Sequence, residues 1–92
     1  MSKLSTRLEK EMQDDEFKKL FEEERIKLQV ADMLLELREQ EGLNQTQFAR
    51  KVKKSRSSII RMERAVTEPS ISMLEDIAGA LGKRLEIKIV DK

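Results

Sequence analysis

The chain has 92 residues, enough for one hydrophobic core and too few for two, and it contains neither Cys nor His. That excludes disulfides, zinc sites of the usual Cys/His kind and imidazole acid–base catalysis, so an enzyme is disfavoured and no cofactor is implied. Charged residues make up 40% and aromatics 3%, and no apolar run approaches the ~20 residues of a membrane span. With no apolar signal core after Met1-Ser2-Lys3-Leu4, a helix-rich cytoplasmic protein is expected.

The net charge of +1 conceals a division at Gly42. Residues 1–41 carry 8 Lys+Arg against 12 Asp+Glu, whereas residues 42–92 carry 11 against 6. The two parts therefore suit different partners. In chain order, Leu4, Leu8 and Met12 are spaced by four and predict a short helix over residues 5–12. From Asp14 to Glu41 there is no Gly or Pro and strong helix formers dominate, which predicts one long helix. Its front carries Phe17, Leu20 and Phe21 among acids. Its rear set, from Ile26 through Leu37, is nearly continuous and predicts burial on several sides.

Gly42 predicts a stop and Asn44 the cap of a second helix over residues 45–52, with Phe48 and Val52 on one face. After Lys53-Lys54, Ser55 caps a third helix to about Arg64 with Ile59 and Met62 inward. Ser70 caps a fourth that ends at Gly82 and buries Met73 or Leu74, Ile77, Ala78 and Leu81. Leu85, Ile87 and Ile89 then alternate with Glu86 and Lys88, which predicts a strand over residues 85–90 with no partner in the chain.

Two short helices joined by a tight turn, the second opening with small polar residues and a base, have helix-turn-helix geometry. Seven bases against one acid occupy residues 50–64, which favours phosphate. With Ile59 and Met62 inward, Arg56, Ser57, Ile60 and Arg61 face outward. Isolated arginines or first-turn serines are more often solvated surface; inside this motif DNA contact is the better reading.

The stretches Leu43-Asn44-Gln45-Thr46-Gln47-Phe48-Ala49, Ser55 through Glu63, Pro69-Ser70 and Ile77 through Gly82 resemble the Cro/C1-type (XRE) helix-turn-helix domain. The resemblance implies that Gln45 touches phosphate and that Arg56, Ser57 and Arg61 reach base edges. Lys53, Lys54, Ser55, Ser58, Ile60 and Arg64 complete the expected DNA-binding set. It also implies a partly buried ion pair between Arg38 and Glu63. Lys53 and Lys54 depart from the family, which usually places Gly and then Val or Ile there. A left-handed Lys53 costs about 1 kcal/mol relative to Gly.

The acidic front, the helix-turn-helix and the closing alternating segment together are similar to antitoxins of the HigA type. That implies a small basic ribonuclease toxin of the HigB/RelE-like kind as partner, held by Phe17, Leu20, Phe21 and Glu24, and repression of a shared operon by a homodimer paired through Leu85, Ile87 and Ile89. Neither a membrane nor a small-molecule substrate is expected. The expected organisation is an all-α, five-helix XRE-type domain over residues 26–84, an acidic helical extension over residues 1–25, and a C-terminal β-strand and tail over residues 85–92. A free-standing phage-like repressor, or an interaction module with an incidental basic face, remains open.

Overall fold

The computed structural model describes residues 15–92. Four helices follow one another: α1 (Asp15–Glu41), α2 (Gln45–Lys51), α3 (Arg56–Glu63) and α4 (Ile71–Ala80). The predicted helix over residues 5–12 lies outside the described residues, so the fold they show has four helices rather than five.

Local chemistry sets each boundary. Asn44 opens α2 with a reciprocal box: its Oδ1 accepts from the Gln47 backbone N–H at 2.8 Å, and the Gln47 side chain accepts from the Asn44 N–H at 2.9 Å. Ser55 and Ser70 accept the backbone N–H groups of Ser58 and Met73, each at 3.1 Å, and so cap α3 and α4.

The C-termini share one device. Gly42, Lys53, Ala65 and Gly82 all have left-handed φ, between 58° and 69°. Each donates to a carbonyl three residues back, while its successor donates to one five residues back; Lys53 to Arg50 and Lys54 to Ala49 are an example. Lys53 thus takes the left-handed conformation although it stands where the family usually has Gly, and nothing about Ala65 signals that conformation.

The core gathers Val30 and Leu34 of α1, Phe48 and Ala49 of α2 with Val52 at its C-terminal end, Ile59 and Met62 of α3, and Ile77 of α4. Phe48, Leu34 and Ile59 are wholly buried. Met33, Leu37, Leu43, Met73, Leu74 and Leu81 pack around it, half-buried. Ala49 of α2 is small and buried, and α2 packs against α3. The rear of α1 departs from expectation. Only Val30, Ala31 and Leu34 are buried, and Ile26 is exposed, because α1 lies against the small domain along one side.

The predicted strand is corrected too. Residues 83–92 adopt no regular structure, and there is no strand among the described residues. A single extended segment has no neighbour to bond, so the alternation of Leu85, Ile87 and Ile89 does not by itself make a strand.

Candidate nucleic-acid interface

Ile59 and Met62, three residues apart and buried, seat α3 on the core. At about 100° per residue, Arg56, Ile60, Arg64, Ser57 and Arg61 then fall within an arc of about 140° on the other side. Arg56, Ser57, Arg61 and Arg64 are exposed, and Ile60 is half-buried among them. Lys53, exposed in the turn, adds a fourth cation to this surface.

The one acid of residues 50–64 is withdrawn from that face. The Glu63 side chain is 3% exposed and forms a two-pronged ion pair with Arg38, from Nε to Oε2 at 2.8 Å and from Nη2 to Oε1 at 3.2 Å. The Gln45 Nε2 adds a third bond to Oε1 at 3.0 Å, and Arg38 also donates to the Leu43 carbonyl at 3.2 Å. The expected Arg38–Glu63 pair is thus present, and it binds α1, the α1–α2 link, α2 and α3 at one point. No buried side-chain polar atom among the described residues lacks a partner.

Other expected contact residues are engaged within the chain. Gln45 is half-buried, its amide given to Glu63. Lys54 is half-buried and paired with Asp76 of α4, Nζ to Oδ2 at 2.9 Å. Ser55 and Ser58 share a hydroxyl bond of 2.8 Å within the cap, with the Ser57 hydroxyl 3.4 Å from that of Ser55. The exposed cations Lys53, Arg56, Arg61 and Arg64, with Ser57 and Ile60, therefore form the presented surface. Sequence reasoning missed Asp76, which lies 22 positions from Lys54 with no motif to link them, and the Lys51–Glu41 pair at 3.0 Å.

The profile of the helix-turn-helix family matches residues 34–88, well over half of the chain. The chain belongs to this family of XRE-type helix-turn-helix proteins. The match opens within α1, eight residues later than the expected domain start, and runs into the segment after α4. No curated protein and no solved structure matches the chain. Helix-turn-helix proteins of this type bind duplex DNA through the second helix of the pair, here α3.

The front of α1 lies apart from this surface. Phe17 and Phe21 are half-buried, and Leu20 between them is 59% exposed. Glu24 is held by Lys27 at 3.1 Å, and Arg25 lies 3.9 Å from Glu22. Phe17 is 13 residues before Val30, about 20 Å along the helix from the first buried core position. Among the described residues no helix is long and apolar enough to cross a membrane, and no acidic cluster could hold a metal ion.

Proposed function

We propose that the protein is a transcription regulator that binds operator DNA through α3, two copies acting on a two-fold-related site. The observation that carries the reading is the arc of Arg56, Ser57, Ile60, Arg61 and Arg64 with its only acid turned inward to Arg38. Arg56 and Arg61 read base edges and Lys53 meets phosphate. Fluorescence anisotropy on operator and random duplexes tests this division. Arg56→Ala or Arg61→Ala is expected to lose about 1–3 kcal/mol on the operator and to relax preference at one base position. Lys53→Ala is expected to weaken all sequences alike and to lower the salt slope by about one. Equal loss on both duplexes for all three variants refutes the assignment of α3 as the reader.

The second element of the reading is that the front of α1 holds a small basic ribonuclease toxin, making the protein an antitoxin that represses its own operon. What favours it over a free-standing repressor is Leu20, a large apolar side chain left exposed between two half-buried phenylalanines and followed by Glu22, Glu23 and Glu24. Apolar anchors inside an acidic surround suit a basic partner. Co-purification with the product of a neighbouring reading frame tests it. Recovery of the protein alone, with DNA binding intact, leaves the free-standing repressor.

A further inference from the structure

A cleft of about 410 Å³ lies on the side of α1 away from the Arg38–Glu63 junction. Glu36, one of its lining residues, is two positions from Arg38, about 200° around the helix. Ile26, Val30 and Met33 of α1, Leu74 of α4 and Leu85 supply its apolar wall. Asp32 and Glu36 also line it, and among the described residues no base does.

Directly after Leu85 the chain turns outward. Ile87 and Val90 are mostly exposed and Ile89 is fully so, which places three of the large exposed apolar side chains within four residues. Of residues 83–92, Leu85 alone lines this copy's own cleft.

We infer that residues 86–90 of a second copy of this chain occupy this cleft, reciprocally, and that this exchange is the contact of the dimer on which the two-copy DNA reading rests. Three features identify the occupant. Charge is complementary through the flanks: residues 86–90 carry Glu86 and Lys88, and around them Lys83, Arg84 and Lys92 outnumber Asp91, facing a cleft lined by two acids. Length agrees: Ile26 to Glu36 rises about 15 Å along α1, and five extended residues span about 16 Å. The segment is also continuous with the cleft, because Leu85, the residue directly before it, lines the cleft, so a two-fold axis beside Leu85 places each tail against the other copy's α1. Exposed apolar side chains on the tail and the apolar wall of the cleft are then covered by the same exchange.

The test is sedimentation of the full chain at micromolar concentration. A tail variant, Ile87→Asp with Ile89→Asp, and a cleft variant, Ile26→Asp with Glu36→Lys, are each expected to raise the dimer dissociation constant about tenfold or more. Both sets alter exposed side chains, so the helical spectrum should be retained. Mixing the two variants at higher concentration is expected to restore association, since one intact tail and one intact cleft remain. As the chain has no Cys, copies bearing Glu36→Cys and Lys88→Cys should cross-link to each other on oxidation, a readout independent of folding defects in the first set. A tail variant that still dimerises overturns the inference. So does a cleft variant that dimerises like the wild type, which would mean that tails pair with tails and would leave the two-copy DNA reading standing. A monomeric wild type overturns both.

Discussion

Two of the four helix ends force an L-residue into a conformation that suits glycine, and Ala65 is the cleaner place to relieve it. Its φ is 58°, and it carries the same pair of backbone bonds as Gly42 and Gly82: Ala65 N–H to Met62 and Val66 N–H to Arg61, at 3.1 and 2.9 Å. A left-handed L-residue costs roughly 1–2 kcal/mol. Glycine removes that cost but frees the unfolded chain by about 0.4–1 kcal/mol. Ala65→Gly should therefore stabilise by about 0.5–1 kcal/mol and raise Tm by about 2–8 °C for a domain of this size. Urea unfolding followed by circular dichroism, with an unchanged m-value, measures it. Lys53→Gly has the same backbone logic at φ 59° but removes an exposed cation from the proposed DNA face. Stability should rise while DNA affinity falls and the salt slope drops by about one. Loss of stability in both variants would show that the four helix ends are not equivalent and would refute the argument.

Three further outcomes follow from named contacts. Glu63→Gln removes the carboxylate from Arg38 and Gln45, and because Arg38 keeps 22% exposure the cost should be about 2–3 kcal/mol, under that of a fully buried pair; denaturant midpoints check it. Asp76→Asn frees Lys54 and removes an acid from its neighbourhood, so DNA affinity should rise and the salt slope steepen by about one, with stability changed by less than about 1 kcal/mol; anisotropy across a salt series reads it. If the protein is an antitoxin as proposed, Phe17→Ala with Phe21→Ala should speed dissociation of its basic partner in surface-binding kinetics while operator affinity is kept.

The features legible in the sequence were those written in local chemistry. Asn44, Ser55 and Ser70 as caps, Gly42 and Gly82 as stops, and the spacing of Phe48, Val52, Ile59 and Met62 placed α2, α3 and α4 within a residue or two. The Arg38–Glu63 pair came from resemblance, and the geometry agrees. Contacts between distant positions were hidden. Lys54 meets Asp76 and Gln45 meets Glu63 because α4 and α3 bring them together, and no periodicity encodes that. The near-continuous apolar rear of α1 misled because composition counts side chains and not faces: Ile26 and Met33 line an open cleft while Leu34 is sealed. Alternation over residues 85–90 misled for another reason, since a strand is a property of a pair.

One helix, α1, meets every part of this design on a different side or segment. Val30 and Leu34 seat it on the core, Arg38 fixes it to the end of α3, Ile26 and Glu36 border the cleft, and Phe17, Leu20 and Phe21 lie ahead of all of these. A partner held at the front of α1 thus touches neither the α3 surface nor the Arg38–Glu63 junction directly. Coupling between such a partner and DNA requires a difference in contact between bound and free states, and here it has two physical routes. One is a shift of α1 on Val30 and Leu34 that moves Arg38 and with it α3. The other is displacement at Ile26, next to the cleft, which alters the second copy and so the spacing of two recognition helices. Glu63→Gln weakens the first route and the cleft variant the second. Operator affinity measured with and without saturating partner in each background therefore separates them, and if both variants retain the full coupling, the partner reaches DNA itself rather than acting through α1.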